Sequence, residues 1–200
     1  MTTASTTLRE IVGIGHQPAA LKESALIMID CQNTYRVGVM KLDGVEEALK
    51  EAQQLLQLAR EANIPIFHIR HDGGEGTPYD VSAEIGAIAD EVAPIVGEYV
   101  ITKQYPNAFV QTDLDTQLKA TGVTNIVLAG FMTHMCVNST AHGGFNLGYA
   151  PTVVASATAT RALEAANGKV ISAQEMQDGA IASTRDLYAA IINRVADIKP

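Results

Sequence analysis

The chain has no tryptophan, only two cysteines, and 14 basic residues against 22 acidic ones. Each shortage removes a class of protein. A formal charge of −8 without any Lys/Arg cluster offers no basic face, so no nucleic-acid partner is expected. Cys31 and Cys136 alone cannot form a disulfide framework. The opening Met-Thr-Thr-Ala-Ser-Thr-Thr lacks the charged start and apolar stretch of a secretory signal, so the cytoplasm is the expected compartment. No apolar run approaches the ~18 residues of a membrane span, and no membrane partner is expected. There is neither a GxGxxG fingerprint nor a Walker loop, which disfavours a nucleotide.

What remains is a globular composition, 47% hydrophobic and 18% charged, on a chain of 200 residues that is long enough for one well-buried core. We read residues 1–24 as an extension and 25–200 as the domain. A small molecule is the expected ligand.

Apolar runs alternate with segments of helical period. Ala25-Leu26-Ile27-Met28-Ile29 reads as a strand, Gly44 to Ala62 as a helix, and Ile64 to Ile69 as the next strand. Val45, Ala48, Leu49, Ala52, Leu55, Leu56 and Ala59 make one apolar helix face, and Asp43 with Glu46 has capping-box spacing. A strand near 98–102, a helix near 113–121 opened by Thr112-x-x-Asp115, and a strand at 125–129 repeat the pattern. A helix from Cys136 to Leu147 stopped by Gly148, a strand at 151–155, and a helix capped by Ser172-x-x-Glu175 and running towards Asn193 follow. Arg194–Ile198 supplies a sixth strand, and 82–97 a short helix. The pattern predicts a three-layer α/β/α sandwich with a mostly parallel, Rossmann-like central sheet of about six strands.

Three chemically potent residues then share one kind of place. Asp30 ends the first strand, Lys103 ends the strand near 98–102, and Cys136 follows the strand at 125–129 where a helix should begin. Strand carboxyl ends line one edge of a parallel sheet, and ligands bind in the crevice outside it. A helix N-terminus and a lysine both favour a thiolate, so Cys136 is a candidate nucleophile with a lowered pKa.

The segments Ile29-Asp30-Cys31-Gln32-Asn33, Thr102-Lys103-Gln104-Tyr105-Pro106-Asn107-Ala108-Phe109 and Gly130-Phe131-Met132-Thr133-His134-Met135-Cys136-Val137 resemble the isochorismatase-like cysteine hydrolase superfamily. The resemblance implies that Cys136 is the nucleophile, Asp30 the general acid/base and Lys103 the cation that holds the site reactive. It also implies an oxyanion hole from the backbone N–H groups of Met132 and Cys136, a cis peptide at Phe131–Met132, and a homo-oligomer. The apolar residues Leu8, Ile11, Val12 and Ile14 offer a packing surface for a neighbour or for the chain itself.

Asn33, Tyr35, Tyr105, Phe109, Phe131 and His134 flank the three motifs and are the candidate substrate contacts; Gln32 is placed to orient Asp30. Cys31 should turn away from the crevice by strand alternation. Nicotinamidases of this superfamily bind a metal through an Asp-x-His element after the first strand, but residues 31–45 contain no histidine. His68 and His71 stand three apart on an extended segment and would face opposite ways, so no metal or other cofactor is expected. Whether either one touches ligand stays open at this point. The expected reaction is hydrolysis of an amide or lactam C–N bond through a thioester. Vinyl ether hydrolysis of the isochorismatase type, a nicotinamidase, and a small-molecule-binding scaffold without turnover are the alternatives.

Overall fold

A computed structural model describes residues 3–199. Six parallel strands form the central sheet: β1 (Ser24–Ile29), β2 (Ile66–His71), β3 (Tyr99–Lys103), β4 (Asn125–Phe131), β5 (Ala150–Ala159) and, last in the chain, β8 (Ala190–Ile192). Their spatial order is β3-β2-β1-β4-β5-β8. A two-residue antiparallel ladder between β6 (Leu163–Glu164) and β7 (Val170–Ile171) stands apart from it. After β1 the chain steps outward to β2 and β3, then returns to place β4 on the other side of β1. That reversal makes β1 and β4 the switch point, where a crevice opens at the carboxyl ends of the strands.

The first strand shows why the layers form. Leu26 and Met28 join one buried cluster with the α2 helix (Val45–Glu61), while Ala25, Ile27 and Ile29 join the opposite cluster. The second cluster includes Leu114 and Leu118 of α3 (Leu114–Thr121) and Ala141 of α4 (Asn138–Asn146). Every β1 residue is buried, because the period of two serves helices on both faces. The longest amphipathic segment, α2, buries the seven apolar residues its periodicity picks out.

Close approach of β4 to β1 depends on Gly130. Its φ is 118°, and a Cβ there would stand 1.9 Å from the Ile29 carbonyl oxygen. The N-terminal segment contains the short α1 helix (Leu8–Ile11), capped by Thr7 and tied to the last helix, α5 (Ala173–Leu187). Leu8 N donates to Asp186 Oδ1 and Arg9 to the Leu187 carbonyl, while Ile11 and Val12 remain exposed.

Several local expectations are corrected. The α2 helix starts from Gly44 in a left-handed conformation without a side-chain cap, and Glu46 pairs with Arg36 instead. Asp113, not Thr112, is the N-cap of α3, and its side chain makes no capping bond. Segment 82–97 holds two single turns, Glu84–Gly86 and Asp90–Val92, rather than a helix. The sixth strand is Ala190–Ile192, and Val195–Asp197 is a turn, because α5 ends at Leu187 instead of running to Asn193. Ser172 and Glu175 do form the capping box of α5. No described helix is long and apolar enough to cross a membrane.

Candidate active site

Asp30 sits one residue beyond β1 with φ 49°, a left-handed conformation that aspartate tolerates better than most side chains. Its amide donates to the Ile69 carbonyl at 2.9 Å, and its side chain is fully buried. Oδ2 accepts a hydrogen bond from Lys103 Nζ at 2.7 Å, while Oδ1 is buried without a protein partner. Lys103 ends β3, two strands away, and its long side chain crosses the end of β2 to reach Asp30. It is 1% exposed. The same Nζ lies 3.4 Å from Cys136 Sγ. The acid, the cation and the thiol therefore meet at one point.

Cys136 lies within a π-helical turn, Thr133–Val137, that leads directly into α4. Helical backbone thus begins three residues before the position where the apolar pattern places it. The Val137 and Met135 amides both donate to the Met132 carbonyl, widening the turn that carries the thiol. The Phe131–Met132 peptide is cis, as the resemblance implies, and the Met132 N–H donates no hydrogen bond among the described residues.

Electrostatics reverse one expectation. Burial, aided by the Asp30 charge, pushes the Cys136 thiol up to about 12, outweighing the nearby Lys103. The resting group is a thiol, not the thiolate that a lysine and a helix terminus alone would favour. Burial likewise holds Asp30 above the usual carboxylate range despite its ion pair with Lys103. Cys31 faces the opposite cluster and is raised further, by burial and then by Asp30. It turns away from the crevice, as strand alternation requires.

The candidate substrate contacts separate into groups. Tyr35 and Phe131 are fully buried and meet edge to face at 5.6 Å; Tyr35 in turn meets Tyr79 at 5.9 Å. His134 shares a hydrogen bond with Thr160 Oγ1, and burial lowers its pKa. Asn33 donates to the Glu84 carbonyl and braces that loop rather than Asp30. Phe109 is not brought to the crevice: it stacks on Tyr149 at 5.7 Å, against α4, because Asn107 and Ala108 dock on that helix. Tyr105 is exposed in the same loop. Gln32, completely buried, grips the His71 backbone and the Gly86 carbonyl.

Two residues of the cluster escape the motif reading. His71 Nδ1 lies 3.2 Å from Lys103 Nζ, and the His71 and Tyr79 rings meet edge on at 4.9 Å. The usable signal is topological: β2 ends at the same edge as β1 and β3, and His71 is its last residue. His68, three residues earlier on β2, is buried and bonded to Glu98 Oε2 at 2.8 Å. Among the described residues no three His, Cys, Asp or Glu side chains gather as a metal-binding group.

The isochorismatase domain family matches residues 24–194. A secreted isochorismatase effector of Verticillium dahliae is 32% identical over 92% of this chain and 95% of its own length. A maleamate amidohydrolase of Pseudomonas putida is 34% identical, covering 72% of each chain. Among solved structures, an isochorismatase from Pseudomonas putida superposes with a TM-score of 0.93 at 35% identity, over 98% of this chain and all of that one. With the family's domain spanning β1 to the residues after β8, and with relatives matched along nearly the whole chain, the protein belongs to the isochorismatase family of hydrolases.

Proposed function

We propose that this hydrolase cleaves the C–N bond of a small amide or lactam with Cys136 as nucleophile and without a metal. One observation carries the reading: Lys103 Nζ stands between Asp30 Oδ2 and Cys136 Sγ, all three groups buried. The unpartnered Asp30 Oδ1 is the acceptor the chemistry requires. The 34% identity to a maleamate amidohydrolase supports C–N chemistry.

Because the thiol is protonated at rest, attack and proton transfer are coupled. Asp30 takes the thiol proton as Sγ bonds to the carbonyl carbon, and the carbonyl π electrons move to oxygen. The N–H groups of Met132 and Cys136 receive the developing oxyanion, and Lys103 offsets the charge that moves between Asp30 and sulfur. Asp30 then protonates the leaving nitrogen as the C–N bond breaks, leaving a thioester. Water, deprotonated by Asp30, attacks the thioester carbon; the acid departs and sulfur recovers its proton. The raised pKa of Asp30 suits a group that must both accept and return a proton.

The test is ammonia or amine release from a panel of amides and lactams by wild type, Cys136→Ala and a chelator-treated sample. Release lost in Cys136→Ala and unchanged by chelation is the expected result. Release that survives the substitution removes the thiol from the mechanism, and a panel with no amide turned over favours vinyl ether chemistry, which needs an acid but no nucleophile, or a binding scaffold without turnover.

A further inference from the structure

Three side chains meet at Lys103 Nζ. Asp30 Oδ2 stands at 2.7 Å, His71 Nδ1 at 3.2 Å and Cys136 Sγ at 3.4 Å. An ammonium group has three N–H donors and no acceptor, so these neighbours account for all three hydrogens. His71 Nδ1 must then be an acceptor, which places the proton of a neutral ring on Nε2. The hydrolytic steps above move protons and bonds on Asp30 and Cys136 and leave this contact unused.

His71 is held there by built structure. It ends β2 directly opposite Lys103 in the β2–β3 register. Gln32 Oε1 accepts from its amide at 2.8 Å and Gln32 Nε2 donates to its carbonyl at 3.0 Å. The Asp72 amide donates to the Lys103 carbonyl, locking the two strand ends together, and Tyr79 presses its ring against the imidazole. The charged and titratable groups around the ring are Lys103 from β3, Asp30 from the end of β1, Cys136 beyond Lys103, Tyr79, and the adjacent Asp72. Burial and then the Lys103 charge lower the pKa of His71, while Asp30 and Asp72 pull the other way. At neutral pH the ring is an uncharged acceptor.

We propose that His71 is a positioning residue of the Asp30–Lys103–Cys136 site: its neutral Nδ1 binds one ammonium hydrogen of Lys103 and thereby aims the other two at Asp30 and Cys136. The inference rests on the reading of Cys136 as nucleophile. Protonation turns Nδ1 into a donor and sets a second positive charge against the ammonium, so the arrangement holds only while the ring is neutral. His71 thus imposes its own acid limit on turnover, separate from the titration of Asp30.

Two measurements test it. Nitrogen NMR of ring-labelled protein at pH 7 should show the Nε2–H tautomer for His71; an Nδ1–H tautomer overturns the proposal whatever Cys136 does. On an amide that the wild type hydrolyses, His71→Leu should lower kcat roughly 10–100-fold with little change in KM, the scale of losses from small misplacement of reacting groups. His71→Asn keeps an acceptor oxygen near the Nδ1 position but cannot titrate. It should recover much of that loss and lack the His71 acid limb of the kcat profile. Wild-type turnover by His71→Leu, or equal loss in both variants, overturns the proposal. Hydrolysis that persists in Cys136→Ala defeats the nucleophile reading instead, and the tautomer then decides whether His71 still orients Lys103.

Discussion

Lys103 and Asp30 form an ion pair at 2.7 Å with both side chains fully withdrawn from solvent. Such a pair gives little net stability, but removing one partner leaves a buried charge and costs about 3–5 kcal/mol. Lys103→Met should therefore be strongly destabilised at pH 8. Asp30 can escape the cost by taking up a proton. Its pKa, already raised by burial, rises further once the lysine is gone. A carboxylate with a raised folded-state pKa loses stability as pH climbs from its unfolded value through the folded one. The variant should thus lose clearly less stability at pH 5 than at pH 8, measured by urea unfolding, and equal losses would contradict the pairing.

The Asp30 charge is one of the forces that keep Cys136 protonated. Asp30→Asn removes that charge without emptying the space, so it should lower the thiol pKa from about 12. Two consequences oppose one another. Alkylation of Cys136 by iodoacetamide at pH 8 should become faster than in the wild type, while the proposed amide hydrolysis, in which Asp30 is assigned the acid/base role, should fall by about 10²–10⁴-fold. Slower alkylation in this variant would show that Asp30 does not restrain the thiol.

The layers, the first five strands and the three strand-end residues were legible because each rests on a short-range signal, whereas the sixth strand was misplaced by the helical pattern carried past Leu187. Apolar runs mark Ile27 and Leu128 as interior, and an acid or cation at a strand end stands out against them. Phe109 was misleading for a tertiary reason. Its segment is committed to α4 through Ala108 N and Thr140 Oγ1, which its aromatic character does not announce. The π turn was hidden because Thr133–Val137 carries no distinctive period, and the pKa of Cys136 depends on burial that no local pattern reports. His71 needed the β2–β3 register before its neighbour became visible.

Away from the site, Glu98 accepts from Arg60 at 2.7 Å and from His68 at 2.8 Å. Burial raises its pKa, but Arg60, the Ile95 amide and His68 together outweigh that effect and bring it down to about 2. A depressed carboxylate contributes stability above its unfolded pKa, near 4.5, and loses that contribution as pH falls towards about 2. Glu98→Gln should cost roughly 2 kcal/mol at pH 7, allowing for partial solvent screening. The difference from wild type should shrink between pH 4.5 and 2, a window that acid unfolding curves can read.

The loop that follows Lys103 supplies a further stability test. A Cβ on Gly143 would stand 2.4 Å from Asn107 Nδ2 and 2.7 Å from Oδ1, and Oδ1 already accepts the Phe109 amide. Gly143→Ala must therefore expel the Asn107 amide group, breaking that bond and straining the docked segment, at about 1–3 kcal/mol. Alanine's better helix propensity offsets a part of this, because Gly143 lies inside α4. Asn107→Ala alone also loses the bond to Phe109, yet in the Gly143→Ala background it relieves the overlap. The double variant should consequently be more stable than the sum of the single losses predicts, by about 0.5–2 kcal/mol in a double-mutant cycle. Strict additivity would mean that Asn107 moves aside without strain and that the loop is not seated on α4 through Gly143. Lys103 is anchored separately by its strand pairing with His71, so turnover per folded molecule should remain near wild type in Gly143→Ala.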